Sequence, residues 1–203
     1  MTEDAPRKTH HHGALKEALI TLALDAAREG AVEQMSLRDA SRRLGVSPGA
    51  VYRHFPDKEA LMRALVLRGF DMLAAGFEAV APLSAPARDV VEAEARFRAL
   101  AGVYVEFASA HFGLWRLMFG PAAVGIMPEG RPSAFAWLQA ALEALGQHGV
   151  TREPDPEDAR FAWVAIHGLA DLRAAPGVAI PRDPRALEAL CDRILRGLGA
   201  GGH

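Results

Sequence analysis

The chain has a single cysteine, Cys191, in 203 residues, so no intramolecular disulfide can staple it. That usage fits a reducing compartment, and a soluble protein of the cytoplasm is expected. No apolar run approaches the roughly 20 residues that span a bilayer, so no membrane partner is expected. The opening MTEDAPRKTHHHG is polar and lacks the apolar stretch of a secretory signal. There is no paired nucleophile and base, no Gly-rich phosphate loop and no ligand-spaced His/Cys cluster, so neither an enzyme, a cofactor nor a metal site is expected. Internal repeats and low-complexity tracts are lacking too, and strand signals are poor throughout. A net charge of only −2 argues, taken alone, against a nucleic-acid binder.

Distribution matters more than that sum. Between Met35 and Phe55 four arginines (Arg38, Arg42, Arg43, Arg53) face one acid, Asp39, which makes this window +3. Half of all residues are hydrophobic and 24% are charged, the composition of a chain that folds rather than stays disordered.

The periodicity is helical from end to end. Leu15, Leu19, Leu22, Ala23 and Ala26 recur at helical spacing, and Gly30 closes that segment. Ser36 with Asp39 three residues on reads as an N-cap with an acid in the first turn, starting a helix to about Leu44 that Gly45 breaks. Ser47-Pro48 starts a short helix that Pro56 stops after Phe55. Asp57 caps a long helix from Lys58 to about Ala79, with Leu61, Leu65, Phe70, Leu73 and Phe77 inward. Further helices are expected over about 87–110, in the aromatic piece HFGLWRLMFG, over 133–147, and after the Asp155-Pro156 and Asp183-Pro184 starts. The stretch GPAAVGIMPEGRP and the segment Pro176 to Pro181 read as loops. The fold class is all-α, with about nine helices.

The informative segment is SLRDASRRLGVSPGAVYRHFPDKEAL, Ser36 to Leu61. Two short helices joined by a tight, glycine-containing turn make a helix-turn-helix pattern. Ser41 supplies the small residue where the helices cross; Leu37, Leu44, Val46 and Val51 supply the apolar anchors. The outward side chains of the second helix are small or hydrogen-bonding, which suits entry into a major groove. The alternative is an ordinary helical hairpin.

This segment resembles the DNA-binding domain of the TetR family of regulators. The resemblance lies in LGVSPGAVYRHFPDKEALM, preceded by ALITLALDAAREG and SLRDASRRLG, and above all in Tyr52-Arg53-His54-Phe55 followed by Pro56-Asp57-Lys58-Glu59-Ala60-Leu61. The DAS at 39–41 departs from the larger aliphatic then alanine more usual in the family. The resemblance implies a domain over 10–57, a connecting helix over 58–79, and an effector-binding and dimerisation domain over 80–203. It places Ser47, Pro48, Gly49, Ala50, Tyr52, Arg53 and His54 on the recognition helix, with Tyr52 and His54 at positions that touch phosphates or thymine edges. Lys58 lies next to a phosphate, and Ser36 and Arg38 resemble backbone or minor-groove-side contacts.

Beyond Leu67 the resemblance weakens. THHHGALKEAL and the Trp163 to Gly168 run are similar to a TetR subgroup with a Trp-x-x-x-His-Gly motif in its C-terminal domain. His10 to His12 then read as a polar arm rather than a metal site or a tag. Aromatics crowd the second half, where they fill cores as often as they line pockets. The expected pocket wall is Tyr104, Phe107, His111, Trp115, Met118, Trp137, Trp163 and His167, which implies a mostly apolar effector. His167 reads as a core histidine or a ligand contact, with Asp171 one helical turn on. The last two helices resemble the family's dimer interface, and a two-fold dimer implies a palindromic duplex operator. A repressor released by a small molecule is the expectation; an activator, a protein-responsive regulator and a non-specific DNA-organising protein are the alternatives.

Overall fold

Short polar side chains set where most of the helices begin. The computed structural model describes residues 8–126, 130, 132–177 and 183–199. Among the described residues there are nine α-helices and no strand: α1 Lys8–Arg28, α2 Leu37–Arg43, α3 Pro48–Tyr52, α4 Lys58–Val80, α5 Val90–Ala110, α6 Phe112–Met118, α7 Ala134–Gln147, α8 Pro156–Ala174 and α9 Pro184–Leu198. Ser36, Ser47, Asp89, Ser133, Asp155 and Asp183 stand at N-caps, each accepting a hydrogen bond from a first-turn N–H. Proline follows Ser47, Asp155 and Asp183 directly, where its missing N–H leaves nothing unsatisfied.

The all-α expectation holds, with differences at the boundaries. Helix α3 ends at Tyr52 and not at Phe55; Arg53 is its C-cap and His54 lies in the following turn. Phe55 is buried, so the chain leaves the helix to drive this ring into the core. Helix α5 begins at Val90, after Asp89 has taken the cap. The loop expected over 176–181 falls partly outside the described residues, as do the side chains of His10 to His12, whose backbone belongs to α1.

The chain divides into two compact units: Met1–Gly69 with Gly113–Ile126, and Phe70–Phe112 with Met127–His203. The first unit takes more than the expected domain over 10–57. It includes the start of α4 and nearly all of α6, which the expected boundary left with the C-terminal half.

In the first unit α2 and α3 pack on each other and α3 on α1, around Leu19, Ala23, Leu37, Ala40, Val51, Leu61 and Leu65. Gly45, at φ +66, makes the turn between α2 and α3 in a left-handed conformation that other residues enter with strain. Gly113 solves a different problem. A Cβ there would overlap the carbonyl oxygen of Ala27, so only glycine lets α6 lie this close to the end of α1. Leu114, Trp115, Leu117 and Met118 are buried as a result.

In the second unit α5 is the central helix, packed against α7, α8 and α9. Phe97, Leu142, Leu145 and Ile194 are fully buried there. The link after α7 is tied down twice: the Arg152 N–H donates to the Leu198 carbonyl at 2.9 Å, and the Arg152 guanidinium donates to the buried Asp158 carboxylate at 2.6 Å.

The two kinds of glycine separate in a denaturant titration. Gly113→Ala is expected to lose about 1–3 kcal/mol through the clash with Ala27. Gly102→Ala, inside α5 with no atom near the new methyl, is expected to gain about 0.5–1 kcal/mol from reduced backbone entropy. Equal effects would show that the α1–α6 approach is not tight.

Candidate nucleic-acid interface and aromatic cavity

Two short helices and the turn between them carry the first site. Ser36 is extended at φ −109, ψ 151, and its Oγ accepts from the Asp39 N–H at 3.0 Å while donating to the Asp39 carboxylate at 2.6 Å. That bond from Ser36, and then one from Arg42, hold the Asp39 carboxyl below its usual pKa. The hydroxyl of Ser36 therefore serves as a helix cap. Ser41 is buried at the α2–α3 crossing, and its Oγ donates back to the Arg38 carbonyl at 2.7 Å. This satisfies a polar group that the crossing would otherwise strand.

Ser47 caps α3 by accepting from the Ala50 N–H at 3.3 Å. Pro48 and Gly49 are exposed at the helix start, Gly49 with open space around it, and Ala50 is half-buried. Val51 is fully buried and fixes the inner face. Tyr52 then points outward, 42% exposed for a large aromatic ring, and Arg53 is exposed beside it. His54 is half-buried, and Lys58 donates from Nζ to the Glu33 carbonyl, bracing the start of α4 against the preceding loop.

Arg38 and Arg53 are exposed and form no ion pair among the described residues, whereas Arg42 pairs with Asp39. Arg43, at the end of α2, is likewise exposed and without an ion pair among the described residues. In the sequence Arg43 is one of four arginines in the basic window, with nothing local to set it apart. Its signal was the charge asymmetry itself. Unpaired exposed guanidinium groups next to an exposed aromatic ring and a glycine-bare helix start suit a phosphate-rich, grooved surface.

The second site is a cavity of about 30 Å³ in the second unit, lined by Phe77, Phe97, Leu100, Tyr104, Trp137 and Trp163 among others. Tyr104 is its hub. Its ring lies 5.1 Å from Trp163 and stacks on Phe77 at 6.2 Å, and its hydroxyl is hydrogen-bonded to His167 Nδ1 at 2.9 Å. Burial pushes the Tyr104 hydroxyl far above its usual pKa and pulls His167 below its own, partly offset by Asp171. Trp137 is buried, and its Nε1–H has no hydrogen-bond partner among the described residues. An orphaned buried donor of this kind costs about 1–3 kcal/mol.

Of the eight residues expected to line a pocket, Tyr104, Trp137 and Trp163 line this cavity and His167 touches it through Tyr104. Phe107 and His111 pack on each other with ring centroids 4.9 Å apart. Trp115 and Met118 belong to the first unit, where Met118 covers Gly69 and Trp115 packs 4.5 Å from Phe119. Phe77, Phe97 and Leu100 were not expected at the cavity. Phe77 carried the signal of an inward α4 position, which does not distinguish a cavity wall from solid core.

A helix-turn-helix whose second helix is capped, short, outward-facing and flanked by unpaired arginines defines a DNA-binding transcriptional regulator. The chain belongs to the TetR family. Residues 19–65 match the model of bacterial regulatory proteins of the tetR family, and residues 97–198 that of the tetracyclin repressor-like C-terminal domain. Neither description distinguishes the Trp-x-x-x-His-Gly subgroup. A protein with unknown function from Rhodococcus sp. RHA1 is similar, with 31% identity over 96% of this chain and 100% of that one, at TM-score 0.72. A regulatory protein of the tetR family from Rhodococcus RHA1 shares the fold at 22% identity, TM-score 0.67, over 93% and 98% of the two chains. So does LfrR from Mycobacterium smegmatis, solved in complex with proflavine, at 19% identity, TM-score 0.54, over 95% and 99%. No curated protein matches the sequence. Members of the family regulate transcription and are not enzymes. No helix among the described residues is long and apolar enough to cross a membrane.

The state of His167 gives a pH test. Its folded pKa is depressed by burial, so its contribution to stability is present above the unfolded value near 6.5 and fades as pH falls through the lower folded value. Thermal unfolding from pH 7.5 to 5.0 is expected to show a falling midpoint, flatter in His167→Gln. Parallel curves would assign the loss to other groups.

Proposed function

We propose that this chain is a homodimeric repressor of the cytoplasm that leaves a palindromic operator when a small, mostly apolar effector occupies the aromatic cavity. One observation carries the reading: an exposed, pre-capped recognition helix and a buried, aromatic cavity without a charged side chain in its wall occur on the same chain. The first suits DNA and the second an apolar ligand. LfrR, with its bound proflavine, is a fold relative that takes an aromatic molecule, which supports the second half of the reading.

The DNA contacts in this scheme come from Tyr52, Arg53 and His54 at the end of α3, with Ser47 to Ala50 at the groove. Arg38, Arg43 and Lys58 contribute charge toward the phosphates. Dimerisation uses α8 and α9. Phe161, Val164 and Leu172 lie on one face of α8 and are 56%, 69% and 46% exposed in the single chain. An apolar face of that size is covered in most soluble proteins. A two-fold dimer sets two recognition helices about 34–36 Å apart, one turn of duplex. The effector then shifts the equilibrium between dimer geometries only as far as its affinities for them differ.

Selection of bound sequences from randomised duplex DNA, at two salt concentrations, tests this. The expected outcome is a palindrome whose affinity falls steeply with salt, and a slope reduced by about 1 in Arg53→Ala. Recovery of no preferred sequence would leave a non-specific DNA-organising protein. Separately, Val164→Asp is expected to turn a dimer into a monomer in sedimentation, with helix content unchanged.

A further inference from the structure

The aromatic cavity has a neighbour. A second, larger pocket of about 200 Å³ lies beside residues 81–87, between α5 and α7, and Leu100 and Trp137 line both voids. At about 30 Å³ the inner cavity has room for a water or two and not for a ring. A molecule with an aromatic ring fits only if the two voids join, and Leu100 and Trp137 are the side chains that border both.

Trp137 is also where the polarity of this region is out of balance. Indole Nε1–H is a donor only, it is buried, and it has no partner among the described residues. The Tyr104 hydroxyl and His167 are engaged with each other. No charged side chain lines the inner cavity. In the outer pocket Arg96 is held by the Glu92 carboxylate and the Ala85 carbonyl, and Glu143 stands at the rim. Placing a charged ligand atom against the inner walls would strip its water without replacement, while a ring would meet Phe77, Tyr104 and Trp163.

We infer that the effector is an uncharged, planar aromatic molecule bearing a hydrogen-bond acceptor, which spans the inner cavity and the pocket beside residues 81–87 and accepts from Trp137 Nε1–H. This rests on the reading of the cavity as the effector site. The ring fills the joined voids between the aromatic walls. The acceptor, a carbonyl or ether oxygen, satisfies the buried indole donor that has no partner among the described residues. Aromatic hydrocarbons fill the same space but leave that donor orphaned, and aromatic carboxylates bring a charge the inner walls do not meet.

Calorimetry on the full-length protein with acetophenone, ethylbenzene and benzoate separates these classes, alongside the Trp137 Nε1–H resonance assigned through the backbone. Acetophenone is expected to bind about tenfold more tightly than ethylbenzene, the effect of one net hydrogen bond. The resonance should move downfield with acetophenone alone, and Trp137→Phe should abolish the preference while keeping ethylbenzene binding. Equal binding of the two neutral probes, or a preference that survives Trp137→Phe, would overturn the hydrogen bond and leave the effector site standing. Tighter binding of benzoate would overturn the uncharged class. If neither neutral probe binds or moves any indole resonance, both the inference and the reading of the cavity fall.

Discussion

A helix of five residues has no stability of its own, because the first turn fixes several backbone angles for a single hydrogen bond. In the proposed scheme, reading DNA depends on overcoming that constraint at α3. Ser47 caps it, Pro48 pre-sets its first turn, and the buried Val51 and Phe55 clamp its inner side and exit. The outer side is thereby released from any structural duty. Tyr52 and Arg53 face solvent on a support whose rigidity comes from elsewhere. Ser36 and Ser41 do the equivalent work for α2, each hydroxyl engaged with that helix's own groups.

The second unit meets the opposite demand. Its central helix α5 buries one face from Ala93 to Ala108, yet around Tyr104 the packing leaves a void and an unanswered indole donor. A core optimised for stability alone would close both. In the proposed scheme these imperfections are where ligand energy enters, and a ligand that completes them shifts the population toward the geometry it fits. The chain passes between the units three times, within α4 at Gly69 and Phe70, at Phe112 and Gly113, and after Ile126.

Much of this was legible in the sequence because it is written in local chemistry. Caps such as Ser36, Ser47 and Asp155 act over three residues, and prolines beside them remove alternatives, so helix starts could be read almost to the residue. The basic window and the Tyr52 to Leu61 block identified the DNA-reading half. What was not legible depended on contacts distant along the chain. Nothing local marks Gly113 as the place where α6 meets the Ala27 carbonyl, so Trp115 and Met118 were expected in the pocket and pack instead in the first unit. Phe77, Phe97 and Leu100 look like ordinary core positions, and only their meeting with Tyr104 and Trp137 makes a cavity. The end of α3 at Tyr52 was missed for a related reason: the burial of Phe55 overrides the helical pattern that Pro56 would have allowed to continue.

The central claim is that two copies of α3 read one duplex face together. Hydroxyl-radical footprinting of the full-length protein on its selected DNA site tests it most directly. The account predicts two protected patches on one face, centred about one helical turn apart, 10–10.5 base pairs. It also predicts that both fade together in Tyr52→Ala. A single patch, or uniform protection along the fragment, would contradict it.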